Sequence, residues 1–150
     1  MLQGRHDNYP KRRGQTRVPE LKAAGVNVGF GSDCMMDPWY SMGRADMLDV
    51  ASMGMHVGQL SSRADMTWCF DAVTYNSAAI MGLQDYGIVE GHQANMVLLQ
   101  ATDPIEAIRL KATRLMVFRK AKLIAQTPAS HTQLQLPGRP IMVDPAKTLL

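Results

Sequence analysis

The chain has 150 residues, about the size of one compact domain and enough to bury a substantial core. Its 16 Lys and Arg residues against 13 Asp and Glu residues leave a formal charge of +3, a balance that demands neither a nucleic-acid nor a membrane partner. No run approaches the roughly 20 apolar residues of a membrane-spanning helix. Two cysteines, Cys34 and Cys69, do not form a disulfide scaffold, which favours a reducing cytoplasm as the compartment.

The first part of the chain predicts a loop, a helix and a strand. Residues 1–20 combine prolines, glycines and basic side chains without apolar periodicity, which indicates a loop. The sequence PELKAAG favours a short helix that begins at Pro19 and ends at Gly25. VNVGFGSD, at 26–33, then alternates in the manner of a strand. A helix followed by a strand with a polar end is typical of an α/β unit.

Three helices are predicted after that strand. The segment 42–60 lacks proline and carries apolar side chains on nearly every face, so we expect a helix that is buried all round. Within it, Gly54 and Gly58 would leave a groove for a second backbone. Two further helices are expected over 64–73 and 74–82, the last with a threonine as its N-cap and a glycine as its C-terminal cap.

The second part of the chain is richer in strand signals. We expect a strand at 96–99, a short helix at 104–111, and two strands within 114–127 that meet in a turn at Arg119–Lys120. The edges of so small a sheet need something to pair with. Residues 128–150 are rich in proline and show no clear period, so they are predicted to form an irregular tail.

Few side chains are spaced for metal binding or nucleophilic catalysis. The four histidines include no pair at i, i+2 or i, i+4, so a zinc site formed by this chain alone is not expected. His56, in the middle of a predicted helix, is interpreted as a packed or hydrogen-bonded side chain. Cys69 is interpreted as a small buried hydrophobe, and the two cysteines lack the C-x-x-C spacing of a redox pair.

Asp33 stands at the end of the predicted 26–33 strand, where two glycines remove side-chain bulk. Ligands of α/β folds bind at the carboxyl ends of strands, so Asp33 either contacts a ligand or caps the next turn. Asp37-Pro38-Trp39 follows as a rigid turn that brings an indole near the same strand end. Trp39 either contacts that ligand or packs within the loop.

Longer stretches of the chain resemble bacterial cytosine deaminase and its relatives in the metal-dependent amidohydrolase superfamily. The stretches are LQGRHDNYPKRRGQTRVPELKAAGVNVGFGSD, MMDPWYSMGRADMLDVASMGMHVGQL and LQDYGIVEG. The resemblance runs from Leu2 to about Thr127. The joint occurrence of QGRHD, GSD and DPWY at these spacings is far more specific than any one of these motifs.

The resemblance implies an α/β fold in which this chain is the C-terminal fragment of a (β/α)8 TIM-type barrel plus part of a small β-sandwich. Residues 1–86 then supply loop 7, helix 7, strand 8 and the following helices, 87–127 supply a share of the sandwich, and 128–150 form the tail. Such a barrel needs around 250 residues, so the chain is about 100 residues short of one. Charged residues make up only 19% of the chain, which fits faces built to pack against further chain.

For the site, the resemblance implies hydrolytic deamination of cytosine or a related pyrimidine with one divalent metal, iron or zinc. Asp33 matches the aspartate that ligates this metal and moves a proton from the metal-bound water. Trp39 matches the tryptophan that walls the pyrimidine pocket. Cytosine deaminases carry a second, substrate-contacting aspartate where this chain has Cys34. The smaller, uncharged side chain predicts tolerance of a 5-substituted pyrimidine such as 5-methylcytosine.

The other metal ligands of the family, histidines and a glutamate from earlier strands, have no counterpart in this sequence. The chain alone is therefore expected to be inactive, and its expected partners are an aminopyrimidine and either an oligomer or the missing N-terminal half. The alternative function is a non-catalytic module or relic that complements a separately encoded half. A nucleic-acid-binding loop at 5–17 is disfavoured because Tyr9 is its one aromatic side chain for stacking.

Overall fold

The computed structural model describes residue 8 and residues 14–143, and the contacts of the chain divide into two units, Met1–Leu83 and Gln84–Leu150. Most of the predicted N-terminal loop, including the QGRHD motif and Tyr9, lies outside the described residues. In the part of the chain that is described, no helix has the length and apolar character needed to cross a membrane.

The described residues of the first unit form four α-helices. These are α1 (Val18–Ala23), α2 (Met47–Val57), α3 (Arg63–Ala72) and α4 (Tyr75–Ile80). Helix α1 ends as predicted, because Gly25 adopts a φ of +75° and the Val26 N–H donates to the Leu21 carbonyl at 3.0 Å. Helix α4 ends in the same way at Gly82, whose φ is +68°. Glycine takes this left-handed position without the steric cost of a Cβ atom.

Helix α2 is shorter than predicted and is buried on one face only. Asp46 accepts the Leu48 N–H at 2.9 Å, so the helix begins there and not at residue 42. Its buried side chains are Leu48, Ala51 and Ser52. Met53 and Val57 are each 40% exposed, because no described residue covers that face. The prediction of a helix buried all round is therefore wrong for the chain as described.

Residues 26–33 do not form a strand, although one was predicted there. A strand requires hydrogen bonds to a second strand, and none of the residues described in this unit supplies one. Instead, the junction of α3 and α4 binds the segment. The Phe30 N–H donates to the Ala72 carbonyl at 2.8 Å, and Asn76 Nδ2 donates to the Val28 carbonyl at 3.0 Å.

Phe30 joins this segment to two helices. Its ring meets the Trp68 ring of α3 edge-on, with centroids 5.8 Å apart and planes at 85°. It also occupies the space beside Gly54 of α2, where a Cβ atom would lie 2.4 Å from Phe30 Cε2. The groove predicted at Gly54 therefore accommodates an aromatic side chain and not a second backbone. Lys22 of α1 lies 5.0 Å from the Trp68 ring centroid and forms an ion pair with Asp65.

The second unit contains an antiparallel sheet in the order β1-β2-β3, formed by Met96–Leu99, Arg114–Arg119 and Lys122–Gln126. All three strands were predicted. The hairpin turn lies one residue later than expected, at Lys120 and Ala121, whose φ angles of 48° and 62° both fall in the left-handed region. Positive φ at both central residues is what a type I′ hairpin turn requires.

Helix α5 (Pro104–Leu110) lies between β1 and β2 in the chain, as predicted, and provides most of the buried side chains of this unit. Asp103 accepts the Glu106 N–H at 2.8 Å, while the Glu106 carboxylate accepts the Thr102 N–H at 2.7 Å. These reciprocal bonds satisfy donors at the start of the helix. They also explain how Glu106 is tolerated at 6% exposure.

The tail is not entirely irregular, which corrects the prediction. Strands β4 (Thr132–Gln133) and β5 (Met142–Val143) pair antiparallel, and the Leu134 N–H donates to the Ile141 carbonyl at 2.7 Å. Gly138, with a φ of +72°, lies in the connection between them. Pro137 and Pro140 also fall in that connection, where they cost the ladder no donor.

Candidate functional site

The three candidate residues Asp33, Cys34 and Trp39 lie in one loop, residues 33–43, which we call the site loop. Its ends touch at Gly43, which is buried. A Cβ atom there would lie 2.4 Å from the Cys34 carbonyl oxygen and 2.8 Å from Met35 Cα. Only glycine allows so close an approach. The site loop therefore closes on itself as a compact Ω-type loop.

Asp33 begins the site loop with an exposed side chain and a φ of +55°. Met36 is also in the left-handed region, with a φ of +52°. The steric cost of this conformation is lower for aspartate than for most residues, but methionine has no such advantage. Neither residue ends a helix. Left-handed non-glycine residues of this kind are often found at functional sites, where surrounding contacts hold them in place.

Asp37, and not Asp33, caps the turn that follows. Its Oδ1 accepts the backbone N–H groups of Trp39 and Tyr40, each at 2.9 Å. Pro38, which lies between Asp37 and Trp39, has no N–H and a fixed φ, so it favours this turn. The Tyr40 N–H is the largest cause that lowers the pKa of the Asp37 carboxyl, and the Cys34 thiol and the Trp39 N–H add to it. The turn was predicted from the sequence, whereas this role of Asp37 was not, although Asp-Pro is a known turn signal.

Cys34 is half-buried. Desolvation is the main cause that raises the pKa of its thiol, and a hydrogen bond to the Asp37 carboxylate and the charge of Asp33 act in the same direction. The thiol is therefore uncharged at neutral pH. The site loop thus places one neutral side chain directly after the Asp33 carboxylate.

Trp39 presents its indole to the outside of the site loop and is 66% exposed. Packing within the loop, which was the alternative interpretation, does not bury it. The neighbouring apolar side chains Met35, Met36 and Met42 are exposed as well. The site loop therefore combines one carboxylate, one neutral thiol and an apolar surface that includes a flat aromatic ring.

Polar side chains of α4 position the backbone that leads into the site loop, and their role was not predicted from the sequence. Besides the Asn76 bond to Val28, Ser77 Oγ donates to the Ala72 carbonyl at 2.7 Å. Gly29 lies so close that a Cβ atom there would come within 2.8 Å of Ser77 Oγ. The sequence gives little signal for the bond between Asn76 and Val28, because the two residues are 48 positions apart in the chain.

The described residues do not form a metal centre by themselves. No group of three or more His, Cys, Asp or Glu side chains among residues 8 and 14–143 is arranged to hold a metal ion, and His6 lies outside these residues. His56 is hydrogen-bonded, as interpreted, with its Nδ1 2.7 Å from the Ser52 carbonyl oxygen. Cys69 is fully buried, as interpreted, and desolvation is the main cause that raises its pKa to about 11. Asp33 therefore has no set of further ligands arranged around it among the described residues and stays a candidate ligand.

Comparison with known proteins shows the family to which the chain belongs. The model of the amidohydrolase family matches residues 1–127, and the chain belongs to that family. The resemblance seen in the sequence is thereby confirmed, and the mixed helices and strands agree with the predicted α/β class. The division into barrel and sandwich portions stays a prediction.

Three proteins of known name are similar to this chain in sequence or in structure. The structure of 5-methylcytosine deaminase from Klebsiella pneumoniae liganded with 5-fluorocytosine is 41% identical, with a TM-score of 0.81 over 91% of this chain and 33% of that chain. Pterin deaminase of Rhizobium rhizogenes is 33% identical over 89% of this chain and 30% of the relative. N-isopropylammelide isopropyl amidohydrolase of Pseudomonas sp. (strain ADP) is 31% identical over 73% of this chain and 27% of the relative. The chain therefore spans a third or less of the length of each.

Proposed function

We propose that this chain is the C-terminal part of an amidohydrolase that deaminates a 5-substituted aminopyrimidine such as 5-methylcytosine. The observation that carries the proposal is the site loop, in which Asp33, the neutral Cys34 and the exposed Trp39 share one closed segment. The 41% identity to a 5-methylcytosine deaminase over 91% of the chain supports it.

In this proposal the site loop recognises the ring of the substrate. The exposed Trp39 indole offers a flat apolar face on which a pyrimidine can stack. Cys34 provides a small, uncharged side chain where an aspartate would bring a charge. Transfer of a 5-methyl group from water into such apolar surroundings lowers the free energy of binding. The exposed methionines of the site loop extend that apolar surface, since the thioether side chain adapts to irregular shapes.

Asp33 is the proposed catalytic carboxylate. The reaction adds water across the C=N bond of the ring, so that the oxygen joins the carbon that carries the amine and one proton joins the adjacent ring nitrogen. The bond from this carbon to the amine then breaks as its hydroxyl group loses the other proton and becomes a carbonyl. We propose that Asp33 accepts a proton from the water and delivers it to the departing amine, which leaves as ammonia. Asp33 is also the one metal ligand that we propose from this chain. The ligands that would complete a centre with iron or zinc have to come from residues outside those described.

The proposal is tested by joining this chain to the part of the Klebsiella pneumoniae 5-methylcytosine deaminase that it does not cover. We expect the fusion protein to release ammonia from 5-methylcytosine in the presence of iron or zinc. Asp33→Asn should lower kcat by about a hundredfold or more, since a positioned acid–base group contributes at least that much. Asp85→Asn, a matched change at an exposed residue outside the site loop, should leave kcat unchanged.

An active fusion protein in which Asp33→Asn has no effect would overturn the proposed role of Asp33. A folded but inactive fusion protein, alongside an active intact Klebsiella enzyme, would favour the alternative of a non-catalytic module. Co-purification of the chain with a separately encoded protein that contains the missing histidines would support the alternative in which the chain complements a separate half.

A further inference from the structure

We infer that Asp37 is a positioning residue of the site, which sets the placement of Trp39 for substrate. The inference deepens the proposed function and rests on it only where substrate is concerned. Its basis is geometric: one carboxylate oxygen accepts two consecutive backbone N–H groups, those of Trp39 and Tyr40, both at 2.9 Å.

These two bonds fix the backbone on both sides of the Trp39 side chain. The Trp39 indole is 66% exposed, so side-chain packing contributes little to its placement. Its position therefore depends on the backbone from which it projects. Pro38 restricts that backbone on the N-terminal side, and the Tyr40 carbonyl accepts the Gly43 N–H at 3.3 Å on the C-terminal side. Asp37 lies at the centre of this arrangement.

Gly43 couples the turn to the residues that precede it. Since Gly43 packs against the Cys34 carbonyl and Met35, a change in the turn at 37–40 is transmitted to the backbone beside Asp33. Loss of the Asp37 acceptor would leave two backbone donors without this partner and loosen the site loop. A substrate would then have to order the loop on binding, which weakens binding more than it slows the chemical step.

The test uses the 150-residue chain labelled with 5-fluorotryptophan, because its two tryptophans, Trp39 and Trp68, give separate fluorine NMR signals. Asp37→Ala should move the Trp39 signal toward that of an unstructured peptide. Asp37→Asn should restore it, because an amide oxygen accepts the same two N–H groups. Trp68 packs edge-on against Phe30 and reports on the fold. Asp103→Ala removes a cap of the same kind in the other unit and should leave Trp39 unmoved.

An unchanged Trp39 signal in Asp37→Ala would overturn the inference. So would an Asp37→Asn variant whose Trp39 signal moves as far as that of Asp37→Ala, because the charge and not the acceptor would then matter. If Asp37→Ala also displaces the Trp68 signal, the Asp37→Asn variant decides: retention of both signals supports the acceptor role, and displacement of either contradicts it.

A kinetic measurement on the fusion protein tests the functional part. Asp37→Ala should raise KM about fivefold with little change in kcat, the fold-change that corresponds to about 1 kcal/mol for a lost cap. Asp37→Asn should restore KM. A fall in kcat with unchanged KM would contradict a positioning role. An inactive fusion protein would count against the proposed function alone, since the NMR result does not depend on activity.

Discussion

The ring of Phe30 fills the space that Gly54 leaves on helix α2, where a Cβ atom would come within 2.4 Å of Phe30 Cε2. This contact joins the segment that leads to Asp33 to the longest helix of the first unit. A glycine in a helix normally costs about 1 kcal/mol relative to alanine. Here that cost is offset by the packing of the Phe30 ring, so a larger residue at position 54 would clash with it.

Gly54→Ala should therefore destabilise the chain by about 1 kcal/mol, because overpacking of 1–3 kcal/mol exceeds the gain in helix propensity. Urea unfolding measures this. In a Phe30→Leu background the smaller side chain leaves room for the methyl group, and the same substitution should be neutral or stabilising. Equal destabilisation in both backgrounds would show that Phe30 is not the obstacle.

The Lys22–Asp65 ion pair should make stability depend on acid pH. The hydrogen bond from Lys22 is the largest cause that lowers the pKa of Asp65, followed by one from Ser62. A carboxyl whose pKa is lower in the folded state stabilises the fold above its unfolded pKa, near 4, and loses that effect as the pH falls through the folded value. Asp65→Asn should flatten this acid dependence in urea unfolding followed from pH 6 to pH 2.

Asp71 should change stability with pH in the direction opposite to that of Asp65, so it serves as a control. Desolvation raises its pKa, so in the folded state it holds its proton to higher pH than when unfolded. Between the two pKa values its contribution to stability falls as the pH rises. Asp71→Asn should remove that fall and should not lower stability at pH 7. Identical pH profiles for the Asp65 and Asp71 variants would contradict both assignments.

Asn76 should matter more for stability than Asn27. Asn76 Nδ2 donates to the Val28 carbonyl at 3.0 Å in a part-buried position, whereas Asn27 Nδ2 donates to the Asn76 carbonyl at 3.2 Å where it is exposed. Asn76→Ala leaves the Val28 carbonyl without this donor and should cost about 1–2 kcal/mol. Asn27→Ala should cost less than about 0.5 kcal/mol, because water replaces its bond. Thermal unfolding of both variants would show whether this order holds.

Cys34 should set the preference between 5-methylcytosine and cytosine. In the fusion protein, Cys34→Asp introduces a charge beside Asp33, and we expect the ratio of kcat/KM for 5-methylcytosine over cytosine to fall by about tenfold, the range of one methyl group in an apolar pocket. Cys34→Ser, which keeps the size without the charge, is the matched control and should change the ratio less. An unchanged ratio in Cys34→Asp would show that Cys34 does not select the substrate.

The 150-residue chain alone should release no ammonia from cytosine or 5-methylcytosine when iron or zinc is added. Asp33 is a single candidate ligand, and one carboxylate does not hold a catalytic metal. The activity of the fusion protein should in contrast disappear on treatment with a chelator and return with added metal. Ammonia release by the isolated chain above background would show that the chain carries a complete site.

Local chemistry made many elements of this chain predictable. The glycine caps at Gly25 and Gly82 depend on neighbouring residues, and both were located from the sequence. The strand at Met96–Leu99 was located from its run of apolar residues. The joint occurrence of QGRHD, GSD and DPWY was sufficient to identify the resemblance to the amidohydrolase family, whose model matches residues 1–127. The conformation of the site loop was less predictable, because the role of Asp37 follows from where its oxygen lies and not from its identity alone.

Contacts between distant residues were decided by the tertiary structure. The 26–33 segment has the alternation of a strand, yet it bonds to Ala72 and Asn76 because no strand lies beside it among the described residues. Gly54 faces a ring and not a backbone, and α2 is buried on one face only. Most of the local elements, the family and the candidate residues could thus be predicted from the sequence alone. Pairing and burial required the fold, since they depend on which groups meet across long separations in the chain.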